Sequence, residues 1–524
     1  MLHPFLGMDV PWLLRVRSAQ RGDHPFLIWE PFDGRSETFT YAAFQARVRT
    51  LAAALARRGI GAGDRLLVHL DNCPEMLLAW FACAEVGAVA VTTNTRSAPA
   101  ELRYFAEDSA ALAAITQPRL AALVDEAAPA LRWIAVTESD AGQPPEPGTL
   151  PGRAEGFGRL LAEGEGREPP PRAPDPLAPV SVQYTSGTTS RPKGVVWTHA
   201  NALWGARTNA VHEELRPDDV HLVVLPLFHT AGHAYGVLAA LWAGCAAVVQ
   251  PRFSASRFWP VAVKHRATFV VAVPFCVRAL MHSDPPPRAH RIRLFGLARS
   301  DPAVARRFGV GIVSWWGMTE TITHGILGPP GLPVAPGAIG WPAPEYGVEI
   351  LRPDGGGPVA PGETGDLLIR GQRGVSLFQE YLGNPAATAE AFDEAGRFRT
   401  GDRVTLLPDG AIRFADRAKD MLKVGGENLA SSEVETVIAA VPGVREVAVV
   451  GKPHPMLDQV PVAFVVVAAP GAAGEVTERI RVACTAGLAD FKRPVELRVV
   501  PDLPRSTLEK VSKAELRRRL ATEG

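Results

Sequence analysis

Short runs of apolar residues alternate with amphipathic stretches through the first four-fifths of the chain. Residues 64–70 (DRLLVHL) predict a strand, 74–87 (PEMLLAWFACAEVG) a helix, and 88–94 (AVAVTTN) the next strand. The runs at 221–228 (HLVVLPLF), 246–251 (AAVVQP) and 268–274 (TFVVAVP) are continuously apolar. Such runs suit strands covered on both faces. This alternation predicts an α/β protein with a large N-terminal domain of mostly parallel sheets covered by helices. Residues 230–249 lack charge over a membrane-spanning length, but His233 and three glycines interrupt them. They are expected to form a buried helix followed by a buried strand. Residues 142–176 are rich in Pro, Gly and acidic residues and are read as a surface loop without regular structure. GIGAGD (59–64) precedes a strand and reads as a turn.

The last hundred residues change character. EVETVIAAVPGV predicts a short amphipathic helix, REVAVVGKP and PVAFVVVAAPG two strands, and VSKAELRRRLA a closing helix. That is a small α+β C-terminal domain. The division drawn is 1–415 for the large domain, 416–420 for the join and 421–524 for the small domain.

Composition narrows the classes of function. The 55 Lys and Arg balance the 55 Asp and Glu, so formal net charge is zero. Nucleic acid or an acidic membrane surface, which demand a basic face, are not expected as partners. The five cysteines are odd in number and form no CxxC pair, which fits a reducing cytoplasm. The opening MLHPFLGMDVPWLL has no basic stretch before its apolar residues, so no secretory signal is read.

The strongest local signal is Val182-Gln-Tyr-Thr-Ser-Gly-Thr-Thr-Ser-Arg-Pro-Lys-Gly194. A strand runs into a loop packed with hydroxyls and glycine. Gly187 lets backbone N–H groups approach a polyphosphate; Thr185, Ser186, Thr188 and Thr189 add donors; Lys193 adds charge. The spacing is not GxxxxGK[ST], so no Walker geometry is assumed.

At this loop the chain resembles the adenylate-forming superfamily of acyl- and aryl-CoA synthetases, adenylation domains and luciferases. Further similar motifs follow in the same order: PLFHTAG (226–232), WGMTET (316–321), GETGDLLIRG (362–371), FRTGD (398–402), DRAKDMLKVGGEN (416–428) and LPRSTLEK (503–510). Within the superfamily, VHLDNCPE, RFSASRFW and GMTETI are most similar to the carnitine/crotonobetaine-CoA ligase group. The resemblance implies a carboxylic acid, ATP, Mg²⁺ and coenzyme A as reactants and cofactors, with a mobile small domain. Two anions must meet at the α-phosphate, so catalysis is charge neutralisation and alignment. The resemblance gives Glu320 the Mg²⁺, Thr319 a phosphate contact, Asp402 the ribose hydroxyls and Arg417 a second ribose or phosphate contact. It makes Lys510 the adenylation lysine and Lys419 the hinge. Gly425 and Gly426 would line the pantetheine channel, and His229 would gate the junction of acyl group and CoA.

Three positions depart from the family pattern. Trp316, preceded by Trp315, stands where a Tyr packs on adenine. The adenine segment (LFGLARSDPAVARRFG, 294–309) is short and carries Arg299. Glu509 replaces a glycine before Lys510. The first two suggest an alternative: a thioester-forming ligase that takes a ready-made acyl-adenylate from a partner adenylating enzyme. A carrier-protein-loading enzyme is disfavoured, because Phe228-His229-Thr230 offers no acid for an amino group and no carrier domain follows. A luciferase-type oxygenase and a non-catalytic binding protein share the scaffold. The acyl pocket is expected around His229–Gly236, Phe275 and Gly317, with Trp204, Trp242, Trp315 and Trp316 as aromatic faces for a cation or a bulky acid.

Overall fold

The computed structural model describes residues 3–145, 150–185, 192–352, 357–417, 421–504, 511 and 513–522. The chain divides into two compact units. One comprises Met1–Thr95, Ala106–Tyr184 and Gly194–Asp416; the other comprises Arg96–Phe105, Thr185–Lys193 and Arg417–Gly524.

The first unit holds three sheets among the described residues. In the eight-stranded sheet, Pro179–Thr185, Val89–Thr92, Arg65–His69, Ala113–Thr116, Ile134–Val136 and Ala154–Gly156 run parallel side by side. Lys193–Thr198 and the antiparallel Glu380–Tyr381 extend its edge. In the nine-stranded sheet, Gly311–Gly317, Leu294–Leu297, Phe269–Val271, Val220–Val223, Ala246–Val249 and Pro25–Trp29 form the parallel centre. His324–Gly328 and Glu37–Thr40 flank that centre antiparallel. A four-stranded sheet from Gly347–Leu351 to Ile412–Arg417 completes the unit. The expected α/β class with mostly parallel sheets holds. The apolar runs became these strands because helices cover both faces: Leu66, Leu67, Val68, Val89, Ala90 and Val91 are all buried. Helix Pro74–Val86 begins on a proline and stops at Gly87, whose φ of 77° suits glycine. Residues 230–249 are a buried helix and strand, as expected.

One expectation fails. Within 142–176, Ala154–Gly156 pairs in parallel with Ile134–Val136, and Phe157–Ala162 is a helix that buries Phe157, Leu160 and Leu161. A three-residue strand and a six-residue helix are too short to show periodicity among prolines and glycines. Docking against a sheet edge decides them.

The second unit is built on a sheet with Met421–Val424, Asp458–Val467 and Val444–His454 adjacent and Glu496–Val499 parallel to Asp458–Val467. Alternation serves two cores. Val449, Ala463 and Val465 face helices Ser431–Ala439 and Ala473–Gly487, while Val450, Val462 and Phe464 face helix Lys513–Thr522.

Burial holds several imidazoles neutral. It depresses His69 and His221 to about 4, and His199 and His233 to about 3. In the unfolded chain these rings bind protons below about pH 6.5. The unfolded state therefore binds more protons between about pH 6.5 and 4. Their contribution is complete above pH 6.5 and drains as pH falls, by up to about 1.4 kcal/mol per unit for each ring. We expect the thermal midpoint to fall steeply between pH 6.5 and 4.5. A flat profile in that window would contradict neutral burial.

Candidate active site

Strand Gly311–Gly317 leads into a single 3₁₀ turn at Thr319–Thr321. The turn is tied down from several sides. Met318 N donates to Thr321 Oγ1 at 3.0 Å. Trp197 Nε1, on the strand that starts at Lys193, donates to the Thr319 carbonyl at 2.9 Å. Phe378 N donates to the Glu320 carbonyl at 2.8 Å. The Tyr346 hydroxyl donates to the Thr321 carbonyl at 2.6 Å. Ile322, a buried β-branched residue, closes the turn at φ 61°. Such a conformation costs about 1–3 kcal/mol and survives where surroundings overdetermine it, commonly at functional sites.

Glu320 is 4% exposed and accepts from the Tyr381 hydroxyl at 2.9 Å. Burial first, and then the charge and hydrogen bond of Glu320, push the Tyr381 phenol up, so it remains a donor. Trp316 points its indole N–H at Asp402 Oδ2, 2.8 Å away. Asp402 is 2% exposed and follows Gly401, which takes φ 74°. Thr400 Oγ1 accepts from Asp402 N and donates to the Leu367 carbonyl, which fixes that bend. Trp316, Thr319, Glu320 and Asp402 thus form one connected constellation.

The PLFHTAG segment lies beside it. Thr230 Oγ1 stands 3.1 Å from Gln183 Oε1 and 3.4 Å from Thr319 Oγ1. His229 precedes the helix and is partly exposed, its ring 4.4 Å from Phe228. Gly232 has no room for a side chain: a Cβ there would lie 2.3 Å from the Pro226 carbonyl oxygen.

The phosphate-loop residues divide. Thr185 ends one strand and Lys193 opens the next, both partly exposed, while Ser186, Gly187, Thr188 and Thr189 lie outside the described residues. Lys419 and Lys510 also lie outside them. Arg417 ends strand Ile412–Arg417; its side chain is likewise not described. Gly425 and Gly426 form the two-residue turn of hairpin Met421–Val424/Glu427–Ala430, with φ of 60° and 90°. A primed turn needs positive φ at both positions, so glycine is required there on conformational grounds alone.

Of the altered positions, Glu509 lies outside the described residues, and the others are accommodated. Arg299 is exposed. The Trp315 ring occupies the space where Gly296 lacks a Cβ. Trp316 is buried with its N–H satisfied by Asp402. Two of the proposed aromatic faces are engaged within the protein: Trp315 stacks on His324 at 4.0 Å, and Trp204 donates to the Tyr346 hydroxyl.

The model of the AMP-binding enzyme family matches residues 14–382, and that of its C-terminal domain matches residues 433–510. The chain belongs to the AMP-binding enzyme family. It is an AMP-forming acid–thiol ligase of the adenylate-forming superfamily, making acyl-CoA through an acyl-adenylate. Crotonobetaine/carnitine–CoA ligase of Escherichia coli O7:K1 (strain IAI39 / ExPEC) is 35% identical over 95% of this chain and 96% of its own. The ligase of that name from Shigella sonnei (strain Ss046) is 34% identical with the same coverage. Among solved structures, a double mutant of o-succinylbenzoate CoA synthetase from Bacillus subtilis, bound to a product analogue, superposes with TM-score 0.82 at 27% identity. That match covers 98% of each chain. A fatty acyl CoA synthetase from Mycobacterium tuberculosis gives 0.68 at 28% identity, covering 98% and 99%. The comparisons do not favour the alternative without adenylation.

Sequence reading missed several residues that hold this AMP-binding enzyme's site together. Tyr381 and Trp197 carry no motif signal of their own. Asn72, inside VHLDNCPE, is fully used: its Nδ2 donates to the Leu225 and Gln250 carbonyls, and its Oδ1 accepts from Leu227 N at 2.7 Å. A buried Asn three residues after a strand joins the ends of two sheets and sets the PLFHTAG segment. Its polarity in an apolar neighbourhood was the available clue. No helix among the described residues is long and apolar enough to cross a membrane.

Proposed function

We propose that this enzyme activates a small carboxylic acid with ATP and Mg²⁺ and passes the acyl group to coenzyme A, with the residue roles as follows. The acid's carboxylate oxygen attacks the α-phosphorus and pyrophosphate leaves; the CoA thiol then attacks the acyl carbonyl and AMP leaves. Glu320 holds Mg²⁺ and Thr319 a phosphate oxygen. A buried carboxylate beside phosphate oxygens fits a hard cation that prefers oxygen ligands. Asp402 accepts from the ribose hydroxyls, and Trp316 borders the adenosine. Thr185, Ser186, Gly187, Thr188, Thr189 and Lys193 take the pyrophosphate, with Arg417 on ribose or phosphate. Lys510 offsets charge in adenylation, Lys419 is the hinge, Gly425 and Gly426 pass the pantetheine, and His229 guards the acyl–CoA junction. The five free, buried cysteines support a reducing cytoplasmic setting.

The observation that carries this reading is the constellation Trp316–Asp402 and Thr319–Glu320–Tyr381, in which one buried carboxylate, Asp402, is held by the strand end at Trp316 and the other, Glu320, stands on the turn that follows it. The test is a panel of acids incubated with ATP and Mg²⁺, with and without CoA, followed by pyrophosphate release and mass spectrometry. Acid-dependent pyrophosphate release and an acyl-CoA product are expected. Thioester from ready-made acyl-adenylates, without pyrophosphate release from any acid plus ATP, would overturn it.

A further inference from the structure

Helix Pro99–Asp108 has no part in the residue roles above, yet two hydrogen bonds tie it to the chain on either side of the phosphate loop. The Tyr104 hydroxyl donates to the Pro192 carbonyl at 2.9 Å, next to Lys193. The Tyr184 hydroxyl, next to Thr185, donates to Asp108 Oδ2 at 2.7 Å. Tyr104 and Pro192 fall in the same compact unit, as do Tyr184 and Asp108. Tyr104 and Asp108 are four residues apart on one helix, so they stand on the same face. The helix is a firm base for both bonds. Leu102 and Phe105 are buried, and Glu101 Oε2 accepts from Ala98 N at 2.8 Å to close the first turn. Tyr184 is seated in turn against Gly194, where a Cβ would lie 3.2 Å from its Cε1.

The acceptor of the Tyr104 bond is what gives it weight. A proline ring fixes φ, and proline has no N–H, so the carbonyl is its only backbone hydrogen-bonding group. The one soft angle left at Pro192 is ψ, which turns the planar peptide between Pro192 and Lys193. A hydrogen bond to that carbonyl holds the plane. Lys193 therefore leaves the proline in one direction as it opens strand Lys193–Thr198.

We propose that Tyr104 is a positioning residue for the pyrophosphate end of the ATP site. Its hydroxyl fixes the Pro192–Lys193 peptide and so sets Lys193 for the β- and γ-phosphates. The bond between Tyr184 and Asp108 holds the other side of the loop to the same helix, which fixes the separation of Thr185 and Lys193. An ammonium acts on phosphate as a point charge, so its contribution depends on where its backbone is held. Releasing the Pro192 carbonyl then costs ATP affinity without removing any charge. The effect is confined to ATP. AMP has no β- or γ-phosphate, and thioester formation from an acyl-adenylate uses neither.

This inference rests on the assignment of Lys193 to pyrophosphate, and the experiment separates the two. Binding of ATP and of AMP to the full chain, each with Mg²⁺, is measured by titration calorimetry, which needs no acid. Tyr104→Phe keeps the ring and deletes one oxygen. It is expected to weaken ATP by about 3–10-fold, the worth of one neutral hydrogen bond, and to leave AMP within about twofold. With the acid that the panel selects, KM for ATP rises, while thioester formation from the ready-made adenylate of that acid is unchanged. The melting temperature of the variant reports that the fold is kept. Lys193→Ala is expected to weaken ATP as well. Tyr104→Phe added to it should change ATP affinity little further, because the hydroxyl acts through Lys193. Equal losses for ATP and AMP, no loss at all, or effects of the two substitutions that simply add would overturn the inference and leave Lys193 its role. ATP bound as tightly by Lys193→Ala as by the parent protein would remove the Lys193 assignment and the inference with it.

Discussion

Glu320→Gln is expected to lower kcat/KM for acyl-CoA formation by about a hundredfold or more while the protein still folds. The glutamine carbonyl can accept the Tyr381 hydroxyl, which now lies 2.9 Å from Glu320 Oε1. The buried hydrogen bond persists and the negative charge does not. Preorganised charge opposite the reacting phosphate is typically worth 10²–10³ in rate, and the proposed Mg²⁺ contact is the charge at stake. The Gln variant should require more Mg²⁺ for half-maximal pyrophosphate release. Glu320→Ala should lose as much activity and also stability, by about 1–3 kcal/mol, because it deletes the buried hydrogen bond from the Tyr381 hydroxyl. Magnesium titration and thermal melting distinguish the two variants. A wild-type magnesium requirement in Glu320→Gln would remove the metal role assigned to it.

Asp402→Ala is expected to act on ATP and not on the acid. The side chain accepts from Trp316 Nε1 at 2.8 Å and is proposed to accept from the ribose hydroxyls. Hydrogen bonds to a charged acceptor are worth about 1.5–3 kcal/mol each. Losing the ribose contacts should therefore cost roughly 10–100-fold in kcat/KM for ATP, read mainly in KM. A cycle with 2′-deoxy-ATP and 3′-deoxy-ATP makes the assignment specific. The parent enzyme should discriminate against at least one deoxy nucleotide, and Asp402→Ala should discriminate much less, since the hydroxyl then has no acceptor to lose. Discrimination undiminished in the variant would show that Asp402 serves only to hold Trp316.

Both predictions concern residues whose type was legible in the chain but whose partners were not. WGMTET and FRTGD are separated by some eighty residues. Only the parallel sheet ending at Gly317 and the bend at Gly401 bring Trp316 against Asp402. Trp316, one of the three departures from the family pattern, donates a hydrogen bond into the same constellation. Arg299, which looked intrusive, is exposed. The glycine pair 425–426 was expected at the CoA channel; its positive φ values make a hairpin turn a sufficient reason for glycine.

The linear sequence by itself determined the class of fold, the order of the motifs and the chemistry they share. Those depend on local periodicity and on runs of residues adjacent in the chain, and hydrophobic burial acts on such runs wherever they occur. Tertiary structure alone decided that Asn72 joins two sheet ends, that Trp197 and Tyr381 hold the Thr319–Glu320 turn, and that a short strand and helix form within 154–162. It also decided that the Tyr235 side chain packs against Gly317, where a Cβ would lie 2.6 Å from its oxygen. Each of these is a contact between residues tens to hundreds of positions apart. Its energy comes from satisfying one specific polar group in a dry interior, and that demand arises only once the chain has packed.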